Sequence, residues 1–126
     1  MVRILIAVVV AVVLATPAAA QCLNANADNQ TATGRLTIGR GKDAAGRVER
    51  PYILRLSANA CLDGTSTEDK VNRTRTIHVY PTDEKIHARF RRFVGKSVRV
   101  RGKPFPAHTS HHHAPIVMEV SEIDTR

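Results

Sequence analysis

Residues 74–102, which are the most informative about the fold, read TRTIHVYPTDEKIHARFRRFVGKSVRVRG. Residues 74–80 and 97–102 alternate between apolar and polar side chains, which predicts two half-buried β-strands. Between them the period changes to that of an amphipathic helix. The apolar stripe of this helix consists of Ile86, Phe90, Phe93 and Val94. Thr82 is the expected N-cap and Gly95 the expected stop, so the stretch predicts strand, helix and strand in that order.

Period-two alternation recurs in three segments outside this stretch, and each predicts a strand. They are residues 34–40, residues 52–56, and a last strand with Ile116, Met118 and Val120 on one face. Three strands, a helix and two strands is the element order of the OB barrel. The sequence therefore predicts a mainly β fold, a five-stranded OB-like antiparallel barrel with one helix between strands three and four.

The chain is long enough for one domain. Its 126 residues include three Phe, two Tyr and no Trp, so the core must consist mainly of Val, Ile and Leu. Residues 34–126 are assigned to the barrel. Residues 21–33 are polar and lack a sustained period, so an irregular N-terminal arm is expected there. Length and composition exclude a large multi-domain enzyme, a polytopic membrane protein and an acidic disordered tail.

Residues 1–20 have the three parts of a secretory signal peptide. Arg3 provides the positive charge, residues 4–14 are apolar, and three alanines before Gln21 suit signal peptidase. The apolar stretch is shorter than the roughly 20 residues that a membrane-spanning helix needs. We therefore expect a secreted or periplasmic protein that does not span the membrane once the signal peptide is removed.

The two cysteines, Cys22 and Cys61, most simply form one disulfide in a secreted chain. The bond would close a loop of about 40 residues, for which the chain-entropy estimate is about 4 kcal/mol of stabilisation. The pair lacks the Cys-x-x-Cys spacing that lowers the pKa of a thiol. A structural disulfide is therefore favoured over a redox role.

The segment richest in candidate ligands is residues 105–115, FPAHTSHHHAP, which holds four of the six histidines. On the predicted fold it joins strands four and five, and with the connection between strands one and two it frames the ligand face. In an extended stretch His111 and His113 point to one side, and His108 could join them across a turn. Imidazole binds Zn, Cu and Ni ions, so these three histidines are the candidate ligand or metal residues. The alternative is that they hydrogen-bond the loop backbone and one another and so fix a rigid hairpin.

A zinc-dependent hydrolase is a rival hypothesis, because three histidines and an open position are typical of catalytic zinc. It needs a general base, and the sequence near the loop offers none closer than Glu119. No nucleophile elbow surrounds Ser110. A non-enzymatic binding module is therefore favoured, and no catalytic residue is assigned.

Positive charge is the other pronounced feature, with 19 Lys and Arg against 11 Asp and Glu and a net charge of +8. Arg35, Arg55 and Arg99 occupy outward positions on three predicted strands, a candidate surface for an anionic envelope polymer or lipid head group. The plainer interpretation is a solvated face that keeps the protein soluble. Nucleic acid is not favoured as a partner, because few aromatic side chains could stack on bases and secretion separates the protein from most nucleic acid.

Six short motifs occur together in this chain. They are CL at 22–23, GRL at 34–36, YILRL at 52–56, ACLDG at 60–64, GKSVRVRG at 95–102 and AHTSHHHAPI at 107–116. Together they resemble the small secreted bacterial proteins of the family called domain of unknown function 4431. The family usually reads FHAHTGHHHTPV in the histidine stretch. This chain departs from that pattern at Pro106, Ser110 and Ala114, where the family has His, Gly and Thr.

The resemblance implies a secreted, single-domain protein with two cysteines, and it brings no established activity or cofactor. The leading interpretation is a secreted or periplasmic OB-like binding module of the bacterial envelope. Its histidine loop would form part of the ligand face, with Zn, Cu or Ni as candidate metals. A structural accessory protein that docks on an envelope partner is the third hypothesis, and the identity of any envelope ligand or protein partner stays open.

Overall fold

The described residues of the computed structural model are 2, 4–13 and 21–126. The apolar side chains within 4–13 are exposed, and the predicted signal-peptide cleavage point lies in 14–20, outside the described residues. Secretion therefore stays a prediction. Within these described ranges no helix is both long and apolar enough to cross a membrane.

The described chain forms eight strands, one α-helix and one short 3-10 helix. The first strands are β1 (Gln21–Asn24), β2 (Gln30–Ile38), β3 (Gly41–Lys42), β4 (Val48–Glu49) and β5 (Tyr52–Asp63). The 3-10 helix (Thr67–Asp69) precedes strand β6 (Val71–Pro81) and helix α1 (Glu84–Phe93). The last two strands are β7 (Ser97–Pro106) and β8 (Ile116–Thr125).

Five of these strands close a barrel. Strand β2 pairs with β5 and β7, β5 pairs with β6, and β7 pairs with β8, all antiparallel. The ring is completed by β6 and β8, which are parallel. The predicted OB-like barrel with one helix between its third and fourth strands is confirmed, but the barrel is mixed rather than antiparallel. Strand directions cannot alternate all the way around a closed ring of five, so at least one pair must be parallel.

Helix α1 covers one end of an aliphatic core. Asp83, rather than the expected Thr82, is the N-cap, and its carboxylate accepts a hydrogen bond from the main-chain N–H of Ile86 at 2.9 Å. Ile86 and Phe90 are buried, while Phe93 and Val94 pack half-buried against the core. The backbone turns at Gly95, whose φ of +86° suits glycine, so the predicted stop is confirmed.

The N-terminal region is more regular than the irregular arm that we expected over residues 21–33. Strand β1 pairs in parallel with β5, and residues 30–33 already belong to β2. Cys22 and Cys61 are register partners in this pairing, and the predicted disulfide between them is confirmed. Four residues of β1 are too few for alternation to stand out in the sequence, and their pairing depends on a distant strand.

Strand β7 extends further than predicted, into the proline-bounded histidine segment. Pro104 and Pro106 lie opposite Met118 and Ile116 of β8. The ladder between β2 and β7 ends at Gly102, so this end of β7 has no partner strand on its other side. The missing N–H groups of the prolines therefore leave no ladder hydrogen bond unmade.

Candidate ligand-binding site

Two connections of the barrel meet at the candidate site. The first, loop 39–51, joins β2 to β5 and contains the small hairpin of β3 and β4. The second, loop 107–115, joins β7 to β8 and carries the four neighbouring histidines. The main-chain N–H of Ala107 donates to the carbonyl of Pro115 at 3.0 Å, which closes the base of this loop. These are the two connections that frame the ligand face of OB-like domains.

Glu49, at the end of β4, joins the two loops. Nδ1 of His111 lies 2.9 Å from each carboxylate oxygen of Glu49, and Nε2 of His113 lies 3.1 Å from Oε1. We call these three residues the Glu49 cluster. The hydrogen bond from His111, followed by that from His113, holds the pKa of Glu49 below its ordinary value. The carboxylate is therefore ionised and accepts an N–H from each ring.

His113 is the most enclosed member of the cluster. Its side chain is 12% exposed, against 61% for His111. One face of the ring lies against Gly41 of β3, where an added Cβ would overlap the ring atoms. Glycine at this position therefore leaves room for the His113 ring, which an alanine would force to move.

His78, on the outer face of β6, forms a hydrogen bond with the main chain of His113. The main-chain N–H of His113 donates to Nδ1 of His78 at 3.2 Å. Burial, assisted by the neighbouring His113 and His112, lowers the pKa of His78 to about 4. The ring is therefore neutral at neutral pH and carries its proton on Nε2, because Nδ1 accepts.

His108 and His112 organise loop 107–115 itself. Nδ1 of His112 accepts the main-chain N–H groups of His108 at 3.0 Å and of Thr109 at 3.3 Å. The two imidazole rings are 4.7 Å apart at 85°, and both contact the ring of Phe105. Burial is the largest cause of a lowered pKa at His112. These contacts are the ones that the rigid-hairpin alternative describes.

The structure thus brings together two of the three predicted ligands. His111 and His113 meet at Glu49, whereas the ring of His108 contacts Phe105 and His112. Sequence reasoning missed Glu49, which is 62 residues from His111, and it also missed His78. The one available signal was general: an OB-like fold places loop 39–51 beside loop 107–115.

A small cavity adjoins the Glu49 cluster. Its volume is ≈ 130 Å³, and its lining consists of Glu49, Arg50, Pro51, His78, His111 and His113. Within the described ranges, no three His, Cys, Asp or Glu side chains are arranged as a ready metal site. In the cluster itself the ring nitrogens and the carboxylate bond one another. The cavity has room for a few water molecules or for a small polar ligand.

The predicted anion surface is a separate feature on the outer face of the barrel. Arg35 of β2 lies directly opposite Arg55 of β5, and Arg99 of β7 lies diagonal to Arg35. All three side chains are exposed. We call these residues the arginine row, and the structure brings together all three members that the alternation predicted.

Barrel, disulfide and loops together define a class: a small, disulfide-bonded OB-like domain whose histidine loop is bonded to the facing loop. The model of the family described as Domain of unknown function (DUF4431) matches residues 76–124. This match runs from the second half of β6 through nearly all of β8, including the histidine loop, and it confirms the predicted resemblance to that family. No match to a curated protein was found.

Proposed function

We propose that the protein is a secreted or periplasmic binding module of the bacterial envelope that binds a transition-metal ion at the Glu49 cluster. The observation that carries this proposal is the position of Glu49 between His111 and His113. Two imidazoles and one carboxylate are ligands that suit Zn²⁺, Cu²⁺ and Ni²⁺. Glu49 supplies the acidic ligand that the histidine segment lacks.

The hydrogen-bonded cluster is consistent with the metal-free form of such a site. Each ring nitrogen that bonds Glu49 carries a proton, and a metal ion would take the place of these protons. Ligand atoms around a tetrahedral Zn²⁺ are about 3.3 Å apart, given bond lengths near 2.0–2.1 Å. The nitrogen–oxygen distances of 2.9 and 3.1 Å in the cluster are close to that separation. Binding would require the rings to turn from the carboxylate toward a shared position.

The surroundings of the cluster favour the same proposal. His78 accepts the main-chain N–H of His113, and this contact fixes the backbone from which the ligating side chain would extend. The adjoining cavity of ≈ 130 Å³ leaves space for water or another small ligand to complete the coordination. Arg50 also lines that cavity, and its positive charge favours an anion as the ligand that completes the coordination of the metal ion.

Calorimetric titration of the untagged, exported protein with Zn²⁺, Cu²⁺ and Ni²⁺ tests the proposal. We expect one-to-one binding with a Kd below about 1 μM for at least one ion. The His111→Ala/His113→Ala double variant should lose this binding, and Glu49→Gln should weaken it about tenfold or more.

His108→Ala is the matched control, because this histidine belongs to the same loop and its ring contacts Phe105 and His112. It should bind the ion as the unaltered protein does. Weak binding that survives the double variant, or an equal loss in His108→Ala, would reject the site.

A further inference from the structure

Strand pairing places the arginine row close together on one face of the barrel. Arg35 and Arg55 are register partners, and opposite residues of an antiparallel pair have Cβ atoms about 4.5–5.5 Å apart. Arg99 is opposite Thr33, two residues from Arg35 on the same face, so it is the diagonal neighbour of Arg35 at roughly 7–8 Å. The long side chains of the row can therefore reach a single ligand group.

No acidic side chain in the register offsets the charge of Arg35 and Arg55. Their other register partners, Ser97 and Thr76, are neutral. Within the part of the chain that the structure describes, the ion pairs leave out all three members of the row. Asp124 is opposite Arg99 on β8, but its carboxylate is 3.5 Å from Arg89 of α1.

This arrangement is unfavourable for the isolated fold. Like charges directly opposite one another destabilise a sheet, whereas opposite charges stabilise it. The same barrel holds the favourable version, since Arg101 lies opposite Glu122 with 3.5 Å between the charged groups. An anion held between Arg35 and Arg55 would remove their repulsion.

We propose that the arginine row is a binding site for the phosphate groups of an anionic ligand. Guanidinium groups are planar and donate paired hydrogen bonds that match phosphate oxygens, and they keep their charge at every physiological pH. The Ser97 hydroxyl is exposed beside Arg35 and adds a further donor. A lipid head group and a free phosphate chain share this chemistry.

The site is independent of the proposed metal site, because it uses no residue of the Glu49 cluster. The arginine row and His78 lie on the same outer face of the barrel. Arg55 is two residues from Ile53 on β5, and Ile53 is the register partner of His78. Separate variants can therefore test the two sites, and the loss of one leaves the other in place.

The experiment measures binding of the full exported protein to two probes at low ionic strength. One probe is phosphatidylcholine vesicles that contain phosphatidylglycerol, with pure phosphatidylcholine vesicles as the blank. The other is a short inorganic polyphosphate. We expect binding that weakens with added salt and that falls about tenfold or more in Arg35→Gln/Arg55→Gln.

Two controls separate a site from general charge and from damage to the fold. Lys70→Gln/Arg73→Gln removes the same charge where the chain enters β6, at residues that are not register partners of the arginine row, and should bind as the unaltered protein does. Glu49→Gln should also bind both probes. The melting temperature of Arg35→Gln/Arg55→Gln should be equal to or above that of the unaltered protein, because the repulsion is gone.

Each outcome has a defined meaning. Binding of vesicles alone assigns the phosphate to a lipid head group, binding of polyphosphate alone assigns it to a soluble chain, and binding of both assigns it to phosphate on either carrier. The proposal is overturned if neither probe binds, if the two double variants weaken binding equally, or if Arg35→Gln/Arg55→Gln lowers the melting temperature.

Discussion

Two segments outside the five barrel strands are attached to the barrel by different chemistry. Strand β1 pairs with β5 and is joined to it by the disulfide between Cys22 and Cys61. Loop 39–51 is joined to loop 107–115 by the hydrogen bonds of Glu49 to His111 and His113. The first attachment is covalent and independent of pH. The second consists of titratable groups of the types that can bind metal ions, so it is the attachment that we expect to respond to protons and ligands.

The two attachments also differ in how deeply they are buried. Leu23 of β1 is 1% exposed and belongs to the core, so β1 is part of the folded unit. In the Glu49 cluster, His111 is 61% and Glu49 31% exposed, and exposed ion pairs contribute little to stability. The contact of Glu49 with His111 therefore matters more for how the two loops are arranged than for the stability of the fold.

The largest effect is expected when the covalent attachment is removed. Cys22→Ser/Cys61→Ser should lower the free energy of unfolding by about 4 kcal/mol, because the unfolded chain is no longer closed into a loop. Urea unfolding measured by circular dichroism gives this value. Reduction of the unaltered protein with dithiothreitol should give the same loss, and a change below about 1 kcal/mol would mean that β1 is held by pairing alone.

The next prediction concerns the contact between Gly41 and His113. Gly41→Ala should push the His113 ring away from its position, at a cost of about 1–3 kcal/mol in stability, and metal binding should weaken with it. Chemical unfolding and the metal titration measure the two effects. Lys42→Ala, at the neighbouring exposed position, is the control that should change neither. An unaltered affinity in Gly41→Ala would show that His113 is not a ligand.

A third prediction uses the low pKa of His78. The folded ring titrates at about 4, whereas the ring in the unfolded chain titrates near 6.5. Between these values the unfolded chain holds the extra proton, so the His78 contribution is complete above about 6.5 and is lost as the pH falls toward 4. The melting temperature of the protein in EDTA should therefore decrease as the pH is lowered from 6.5 to 4.

His78→Asn tests the assignment of that pH dependence, because the amide oxygen can accept the His113 N–H but the side chain does not titrate. The melting temperature of this variant should fall less steeply between pH 6.5 and 4 than that of the unaltered protein. Parallel curves for the two proteins would assign the loss to other groups.

The smallest expected change in stability distinguishes two arginines of the barrel whose register partners have opposite charges. Arg55→Gln should stabilise the protein by about 0.2–1 kcal/mol, because it removes a like-charge pair with Arg35. Arg101→Gln should leave stability unchanged or lower it by up to about 1 kcal/mol, because it removes a pair with Glu122. Unfolding curves at low ionic strength measure both changes. If both variants lose the same free energy of unfolding, the charge of the register partner does not decide the change in stability.

The predictable part of the fold follows mostly from local patterns of apolar and polar residues. The alternation around Leu54 and the helical stripe of Ile86 and Phe90 correspond to buried side chains, because each periodicity directly states which face is apolar. The sequence predicts Thr82 as the N-cap, one residue before the observed Asp83, since both residue types can cap a helix. Strand β1 cannot be predicted from its own four residues, because it is held by a partner strand 39 residues away.

The candidate site was only half predictable for a related reason. The two-residue period put His111 and His113 on one side, and both do meet Glu49. The same segment could not reveal that His108 and His112 would bond within the loop, because a turn at Thr109 replaces the extended backbone. Nor does any pattern near the histidines indicate an acid on another loop.

The sequence alone was enough to predict the five barrel strands, the helix, their buried faces, the disulfide and the outward arginines, because each depends on spacing along the chain or on residue type. Tertiary structure alone decided that Glu49 lies between two histidines and that Arg35 faces Arg55. The first depends on how loops 39–51 and 107–115 meet, and the second on strand register, because a shift of one residue would turn every side chain of a strand to the other face. Register is set by the packing of the whole barrel, which no local pattern contains.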